Sequence, residues 1–420
     1  MVDTRISFQS VTKIFGSDPE GPAAKMLGQG VSKAEIQEST DHIVALDDVT
    51  FDVREGETFV VMGLSGSGKS TLIRTVNRLV EPSWGHVYVD GDDVIAMSQK
   101  ELQQVRGTKL GMVFQHFALF PHRTVRENVA YPLRLQGVDS DDWHRAADQA
   151  LELVGLEGWG DYMPDNLSGG MQQRVGLARA LAADPPILLL DEAFSALDPL
   201  IRRQMQNELL TIQESLHKTI LFITHDLNEA LRVGDRVCIM RDGEVVQIGT
   251  PEEIVTEPSE QYVADFIRDV DQARVLGVEF VATEAITIPV DATTVDQAYD
   301  TVDESELDAA YVVDANQSVV GLVTRDDLER ARAVGSRDLA SVVRKDYPET
   351  TSDATISELY ALCGRGLPVA VVDESTGSLT GVVDPLNVLA KLGLIENIGD
   401  QEPQLAGDVA ATDAAGEAAS

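Results

Sequence analysis

A glycine-rich segment carries the clearest chemistry in the sequence. Residues 63–70 match the pattern G-x-x-x-x-G-K-[ST]. Glycines let successive backbone N–H groups turn inward, which forms an anion-binding nest at the start of a helix. In such a loop we expect Lys69 to reach the β- and γ-phosphates of a nucleotide and the Ser70 hydroxyl to ligate Mg²⁺. The residues predicted to bind the nucleotide are Gly63, Ser65, Gly66, Ser67, Gly68, Lys69, Ser70 and Thr71.

Two carboxylates follow an apolar run further along the chain. Residues 187–190 are apolar and typical of a central strand buried on both faces, and Asp191 and Glu192 come directly after them. Parallel sheets bind ligands at the carboxyl ends of their strands. We therefore expect Asp191 to hold Mg²⁺ through water and Glu192 to polarise the water that attacks the γ-phosphate.

A second candidate anion site lies far from the first. Ser168 suits the N-cap of a helix, and Gly169 and Gly170 leave the first helical N–H groups accessible. Met171 and Gln172 continue this segment. Two anion sites in one chain exceed what a single bound nucleotide needs.

These residues require a scaffold of alternating strands and helices. A buried strand is predicted over 57–62, and residues 1–268 as a whole have the alternation of an α/β domain with a parallel sheet. Residues 16–42 form an insertion in which one short helix is expected near 32–37. The helix after the glycine-rich segment should bury Leu72, Ile73, Val76, Leu79 and Val80.

From about residue 274 the pattern changes to an internal repeat. Residues 283–328 and 345–386 resemble each other with a period of about 60 residues. Tyr-Val-Val-Asp at 311–314 recurs as Ala-Val-Val-Asp at 370–373. Each copy predicts a strand, a turn, a strand and a helix.

Composition narrows the function classes. The 420 residues include 33 basic and 70 acidic side chains, a net charge of −37, which opposes general binding to nucleic acid. Only nine of the basic residues are lysines. We interpret an acidic, lysine-poor surface as adaptation to a salty cytoplasm, because salt screens self-repulsion. Residues 396–420 hold six acidic and no basic residues, and we expect a disordered tail there.

Cysteines and hydropathy point to a cytosolic chain. Cys238 and Cys363 lie too far apart in sequence to suggest a metal motif or a disulfide framework. The N-terminus has no apolar signal region, and no apolar run approaches the roughly 18 residues of a membrane span. We therefore expect a protein that is not itself embedded in the membrane.

The order of these motifs resembles that of the ATP-binding cassette (ABC) ATPases. Their signature usually reads LSGGQ, and residues 167–170 match it, while Met171 stands where glutamine is commoner. The resemblance covers residues 1–268 and implies a P-loop cassette with a mixed sheet core and a helical subdomain. Nucleic acid is not an expected partner.

The resemblance also assigns roles to further residues. Gln115 matches the Q-loop, which senses Mg²⁺ and touches the membrane partner, and Asp198 matches the D-loop. His225 matches the switch histidine at the γ-phosphate, although an isolated histidine is more often a surface residue. Phe15 stands where the family stacks an aromatic ring on adenine, and the alternative is a plain core position.

The family arrangement implies a homodimer. Two cassettes pack head to tail, and each ATP lies between residues 63–70 of one copy and 168–170 of the other. Glu192, His225 and Gln115 are then the catalytic residues, and Ser70, Gln115 and Asp191 surround Mg²⁺. Closure around two ATP molecules moves a membrane subunit, and hydrolysis resets it.

Further stretches narrow the resemblance to the ATPase subunits of glycine betaine/proline betaine importers. These stretches are residues 117–122 and 192–202 together with the 16–42 insertion. Such subunits often carry two CBS (cystathionine-β-synthase-like) domains, which the repeats at 275–334 and 335–395 resemble. The implied partners are an integral-membrane permease and an external substrate-binding protein, with the ATPase at the cytoplasmic face of the membrane.

The regulatory half allows several interpretations. Thr324 and Asp327 match the CBS positions near the ribose and phosphate of adenosine, whereas Asp384 and Asn387 suggest a degraded second site. The alternative is a purely structural or dimerising module. Basic residues between 325 and 345 could meet a phosphate or an anionic lipid, although interleaved acids more often mark a solvated face. A gate that responds to ionic strength is a further hypothesis.

Three other functions stay open at this point. The first is an ABC importer ATPase for another amine or amino acid. The second is a soluble ABC ATPase of DNA repair or translation, which the charge and the single cassette oppose. The third is a nucleotide-sensing module with a vestigial ATPase, which the intact Lys69, Asp191, Glu192 and His225 oppose.

Overall fold

The computed structural model describes residues 3–391 except 116–117, 196, 269, 291–292, 306 and 316–317. The chain divides into two compact units, Met1–Val270 and Asp271–Ser420. The predicted acidic tail lies outside the described residues. Within the described ranges no helix has both the length and the apolar character needed to cross a membrane.

The first unit contains two sheets. Its strands are β1 (Thr4–Phe15), β2 (Ile43–Arg54), β3 (Thr58–Gly63), β4 (Trp84–Val89), β5 (Asp92–Asp93), β6 (Leu110–Val113), β7 (Ile187–Asp191), β8 (Thr219–Thr224), β9 (Arg236–Arg241) and β10 (Glu244–Gly249). One sheet is antiparallel, in the order β2-β1-β4-β5. The other has the order β10-β9-β3-β8-β7-β6 and is parallel except for the β9–β10 pair.

Helices surround these sheets. They are α1 (Pro22–Gly28), α2 (Lys33–Thr40), α3 (Lys69–Val76), α4 (Gln99–Thr108), α5 (Val125–Val129), α6 (Tyr131–Leu135), α7 (Ser140–Leu153), α8 (Gly169–Leu181), α9 (Pro199–Leu216), α10 (Leu227–Val233), α11 (Pro251–Thr256) and α12 (Gln261–Ile267). A 3₁₀ turn covers Pro164–Asn166. Helices α5 to α8 lie in sequence between β6 and β7, where they pack against one another as a helical layer.

Local sequence explains where several helices begin. Reciprocal hydrogen bonds between a threonine or serine N-cap and an acid three residues later start α4 at Ser98, α5 at Thr124 and α11 at Thr250. By contrast, α3 ends earlier than expected. The side chain of Asn77 accepts the Leu79 N–H, and Arg78 has a φ of +51°, which no helix continues. Leu79 is therefore 54% exposed rather than part of a buried face.

The core of this unit lies between the two sheets. Phe8 of β1 packs on Phe51 of β2 with ring centroids 4.6 Å apart, and Phe51 stacks on Phe59 of β3 at 4.9 Å. Aromatic pairs of this kind add about 0.5–1.5 kcal/mol each beyond their area burial. Leu72 and Ile73 of α3 join the same cluster, so the packing of the two sheets also fixes the helix that follows the glycine-rich segment.

The 16–42 insertion holds two helices where one was predicted. Helix α2 contains the expected segment, and Ile36 buries itself beside Ile14 and Val44. Helix α1 was missed because it has only seven residues and no side-chain cap, so its sequence shows no full period. The buried His42 closes the insertion, since its Nε2 accepts the N–H of Asp18 at 3.2 Å.

The described part of the second unit contains two repeats of one topology. The first repeat contains β11 (Thr287–Pro289), α13 (Val295–Asp303), β12 (Ala309–Val313), β13 (Val319–Thr324) and α14 (Arg325–Ala333). The second contains β14 (Glu349–Thr351), α15 (Ile356–Cys363), β15 (Val369–Val372), β16 (Leu379–Val383) and α16 (Pro385–Lys391). In each, the first strand is parallel to the second and the second antiparallel to the third. Short 3₁₀ turns cover Gln272–Arg274, Val278–Phe280 and Leu339–Ser341.

The two repeats exchange backbone hydrogen bonds. Thr283, which precedes β11 in the first repeat, pairs in both directions with Val382 of β16 at 2.9 Å. Arg344, which precedes β14 in the second repeat, pairs in the same way with Leu322 of β13 at 2.8 and 2.9 Å. The Tyr311 hydroxyl also donates across to the Pro368 carbonyl at 2.7 Å. Neither repeat therefore completes its sheet alone.

Glycine-to-alanine variants test this exchange. A Cβ at Gly321 would lie 2.3 Å from the Arg344 carbonyl oxygen, whereas at the equivalent Gly381 the nearest atom, the Thr283 carbonyl oxygen, is 3.3 Å away. We expect G321A to destabilise the second unit by about 1–3 kcal/mol and G381A by less than about 1 kcal/mol. Urea unfolding of the full chain measures both, and equal losses would contradict the account.

Candidate functional site

Four neighbouring parallel strands bring the predicted catalytic residues to one edge. Strands β3, β8, β7 and β6 lie side by side, and their carboxyl ends point the same way. The glycine-rich segment follows β3, His225 follows β8, Asp191 and Glu192 follow from β7, and Gln115 lies just beyond β6. Residues that are far apart in sequence thereby meet in one place.

The glycine-rich loop closes around Lys69. Its Nζ donates to the carbonyl oxygens of Gly63 at 2.8 Å and Leu64 at 2.9 Å. Burial lowers the pKa of this ammonium group, and attraction to Glu192 and Asp191 works in the opposite direction. A buried cation at the start of α3 makes the loop a strong anion site.

Two glycines in this loop have no substitute. A Cβ at Gly63 would lie 2.2 Å from the Met240 carbonyl oxygen, and one at Gly68 2.3 Å from the Ala45 carbonyl oxygen. Gly68 also has a φ of +95° as the residue before α3. The neighbouring backbone from β9 and β2 therefore requires glycine here, independently of phosphate binding.

Asp191 is fixed by two partners. The Ser70 hydroxyl donates to its Oδ1 at 2.8 Å, and Arg74 contacts its Oδ2 through Nε at 3.0 Å and Nη2 at 2.9 Å. The carboxylate is only 2% exposed, so it needs these bonds. Arg74 was not among the predicted site residues, although its position one turn after Ser70 on α3 places both on one helix face.

Glu192 is the point where three catalytic candidates meet. Gln115 Nε2 donates to its Oε2 at 3.3 Å, and His225 Nδ1 lies 3.3 Å from the same oxygen. The backbone of Glu192 has a φ of +48°, and its N–H bonds to the Ile223 carbonyl of β8 at 3.0 Å. A non-glycine residue held in this conformation indicates that the surrounding structure imposes the position of its side chain.

The second candidate anion site lies at the start of α8, where Ser168 is the N-cap. The Ser168 hydroxyl accepts the Met171 N–H at 3.3 Å, and the Gln172 side chain donates to the carbonyls of Pro164 and Leu167. Among the described residues no hydrogen bond or ion pair links residues 168–172 to residues 63–71.

The remaining predicted residues are placed as follows. Asp198 caps α9, and its Oδ1 accepts the N–H groups of Leu200 and Ile201, both at 3.1 Å. Phe15 is 42% exposed at the end of β1, with Lys13 Nζ 5.0 Å from its ring centroid. Phe15 is therefore not buried, as a plain core position would require.

Comparisons with known proteins agree with this geometry. Residues 46–195 match the family model described as ABC transporter, and residues 277–334 match the CBS domain model. The glycine betaine transport ATP-binding protein OpuAA of Bacillus subtilis is 47% identical over 371 residues, 88% of this chain and 88% of that protein. The glycine betaine/proline betaine transport system ATP-binding protein ProV of Escherichia coli is 44% identical over 375 residues, 88% of this chain and 93% of that protein.

The chain belongs to the ATP-binding subunits of ABC transporters. It is thus an ATPase that binds ATP, and the predicted cassette fold with a C-terminal CBS domain is confirmed. A dimeric bacterial ABC transporter cassette matches with a TM-score of 0.50 and 34% identity over 59% of this chain and 98% of that chain. A post-hydrolysis dimer bound to ADP and Pi matches with the same TM-score and coverages at 33% identity.

The first unit, Met1–Val270, has an apolar groove whose lining includes Phe114, the residue before Gln115. Its volume is about 360 Å³, and it lies between β6 and the helices α6 and α8. Arg179 donates to the Ala118 carbonyl at 2.7 Å and supports one wall. The larger apolar and aromatic residues that line it are Leu79, Leu110, Met112, Phe114, Phe120 and Tyr131.

The CBS candidates Thr324 and Asp327 already bond to protein groups. The Thr324 hydroxyl donates to Asp327 at 2.7 Å, Arg344 reaches both carboxylate oxygens at 2.5 and 2.8 Å, and Arg330 adds a contact at 2.6 Å. Burial tends to raise the pKa of Asp327, but the bonds from Arg344 and Thr324 outweigh it and lower the pKa.

The surrounding basic residues are mostly paired with acids. Arg325 contacts Asp303 and Asp308, and Arg332 contacts Asp296. Together with the arginines on Asp327, these pairs favour the interpretation of a solvated face with interleaved charges over a surface that attracts phosphate.

Replacement of Arg74 tests the account of Asp191. R74Q leaves a buried carboxylate with one hydrogen-bonding partner, so we expect a loss of about 1–2 kcal/mol of stability. R268Q is the matched control, because Arg268 pairs with Asp265 at the surface and its loss should cost less than about 0.5 kcal/mol. Urea unfolding midpoints measure the difference, and indistinguishable midpoints would contradict the role of Arg74.

Proposed function

We propose that the chain energises import of glycine betaine- or proline betaine-type osmolytes by hydrolysing ATP. Gln115 and His225 both contact the same carboxylate oxygen of Glu192, and this arrangement supports the hydrolytic role. Similarity over most of the chain to ATP-binding subunits named for glycine betaine transport supports the solute class. The proposal that the solute is an osmolyte rests on this similarity.

Each end of the nucleotide has its own residues. Residues 63–71 hold the phosphates through backbone N–H groups and Lys69. Adenine stacks on the exposed face of Phe15. Ile43, the exposed cross-strand neighbour of Phe15, adds apolar surface at the same end.

The residues beside the phosphates fit Mg²⁺. Ser70 Oγ and Asp191 Oδ1 are hard oxygen donors 2.8 Å apart, and Gln115 brings an amide oxygen to the same edge. The described part of the chain holds no cluster of three His, Cys, Asp or Glu able to bind a metal alone. These donors suit an ion that completes its shell with phosphate oxygens and water. When bound, Mg²⁺ neutralises charge that develops on the phosphates.

Hydrolysis uses Glu192 and His225 together. The Glu192 carboxylate accepts a hydrogen bond from the attacking water and orients it toward the γ-phosphate. His225 lies on the same side and donates to the γ-phosphate oxygens. Gln115 also donates a hydrogen bond to Glu192, so a displacement of Gln115 changes the position of the Glu192 carboxylate.

A second copy completes the site. In a head-to-tail homodimer, the capped helix start at Ser168, with Gly169 and Gly170, binds the γ-phosphate held by the partner. Asp198 lies at the start of α9, where Ile201 also packs against Gly170. The dimeric cassette among the similar structures supports this arrangement.

The groove beside Gln115 receives a membrane permease. An apolar helix of the permease would cover the exposed Leu79 and contact the wall formed by Phe114 and Phe120. Because Phe114 precedes Gln115, docking is transmitted to Glu192. The ATPase then sits at the cytoplasmic face of the membrane, and an external substrate-binding protein delivers the solute.

The CBS unit regulates transport. An adenine nucleotide at Thr324 and Asp327 would compete with Arg344 for the carboxylate, which sets a condition for such a ligand. Binding of ATP or AMP to the full chain that survives K69A but is abolished by D327N would support a nucleotide at this position. A K69A protein that binds neither ATP nor AMP would favour the structural alternative.

E192Q tests the hydrolytic role. The amide accepts the water's proton far less readily, so we expect turnover to fall by at least about 100-fold. ATP binding and ATP-dependent dimers should persist, as light scattering would show. E214Q, on the exposed face of α9, is the control and should hydrolyse ATP at the unmodified rate. Unmodified turnover in E192Q would refute the assignment.

A second candidate solute has its own support. The trimethylamine N-oxide transport ATP-binding protein TmoW of Pelagibacter ubique is 49% identical over 280 residues, 66% of this chain and 81% of that protein. Vesicle uptake by the ATPase with its permease and binding protein separates the two. Uptake of radiolabelled betaine that excess trimethylamine N-oxide does not compete supports the first proposal, and the reverse pattern supports the second.

A further inference from the structure

Arg202 joins two loops that lead to catalytic residues. It lies in the first turns of α9, and its side chain is 26% exposed. Nη1 contacts Asp226 Oδ2 at 3.3 Å, while Nη2 donates to the carbonyl oxygens of Leu197 at 3.2 Å and Ser195 at 3.4 Å. One guanidinium group thus reaches three points on two separate segments.

Both segments end at the reaction site. Ser195 and Leu197 belong to the loop between Glu192 and Asp198, and the Ser195 hydroxyl donates to the Glu192 carbonyl at 3.0 Å. Asp226 directly follows His225. A movement of either loop relative to the other would change the 3.3 Å distance between His225 and Glu192.

A buried network fixes the far side of the same turn. Thr224 donates its hydroxyl to Glu229, and Gln206 of α9 donates to the other Glu229 oxygen at 3.0 Å. Burial raises the pKa of Glu229, with smaller opposing contributions from these hydrogen bonds. The Asp226 N–H also bonds to Thr224 Oγ1 at 3.0 Å. Residues 224–226 are therefore held from α9 at two places, Arg202 and Gln206.

We propose that Arg202 is a positioning residue for ATP hydrolysis. Its planar guanidinium group holds the His225 turn and the loop from Glu192 to Asp198 in a fixed relative position. The side chains of Glu192 and His225 then face the same γ-phosphate. The part of this role that involves Asp198 rests on the proposed homodimer. There, contact of the Asp198 loop with the second copy moves the His225 turn through Arg202.

The chemistry of the side chain sets the variants. R202K keeps a positive charge beside Asp226, but a lysine cannot bond two carbonyls and a carboxylate from one planar group. R202Q removes the positive charge. D226N removes the negative charge of the partner residue. R203Q is the control, since Arg203 is the exposed neighbour on α9 and its side chain makes no hydrogen bond or ion pair with the described residues.

Steady-state kinetics of the full-length protein test the proposal. We expect R202Q to lower kcat by about 10- to 100-fold, the range that follows from small misplacement of reacting groups. R202K should fall between R202Q and the unmodified protein. KM for ATP and the melting temperature should stay near those of R203Q, because Lys69 and the phosphate loop are untouched.

A double-mutant cycle separates positioning from a merely structural role. If Arg202 acts through Asp226, R202Q/D226N should lose no more kcat than R202Q alone. Multiplicative losses in the double variant, a kcat of R202Q equal to that of R203Q, or a parallel loss of ATP binding and thermal stability would each overturn the proposal. An unmodified protein without ATPase activity would overturn the proposed function itself, and this role with it.

Discussion

The parallel register of β3, β8, β7 and β6 is the constraint on which the catalytic edge depends. Met62 lies opposite Thr224, and Asp191 lies opposite Ile223. In this register the residues that follow each strand reach one level, where Glu192 touches both Gln115 and His225. A slip of one residue would turn each strand's side chains to the other face and separate the carboxylates from the phosphate loop.

Arginines pair with carboxylates both at this edge and in the second unit. Arg74 bonds to Asp191 and Arg202 to Asp226, and in the second unit Arg344 bonds to Asp327. In each case one guanidinium group makes at least two bonds, which the point charge of lysine does less well. In a chain with 70 acidic and 33 basic residues, these three arginines each join segments that are distant in sequence.

Sequence reasoning succeeded where the signal is local. The phosphate loop, the β7 strand and the Ser168 cap each show in a few adjacent residues, and the structure forms all three elements. It failed where partners are distant. The Arg74–Asp191 and Arg344–Asp327 pairs join residues whose sequence neighbourhoods give no sign of each other. Helix α1 is too short for periodicity, and a left-handed Arg78 cut α3 short of Leu79.

A photocleavage experiment tests the composite site most directly. Orthovanadate trapped with ADP in place of the γ-phosphate cuts the backbone beside it under ultraviolet light. A tagged K69A copy, unable to hold phosphate itself, is mixed with untagged unmodified protein. The account predicts cleavage of the tagged copy at residues 168–170 in the mixture and none at 63–70. An uncut tagged copy, in a mixture whose untagged partner is cleaved at 63–70, would contradict it.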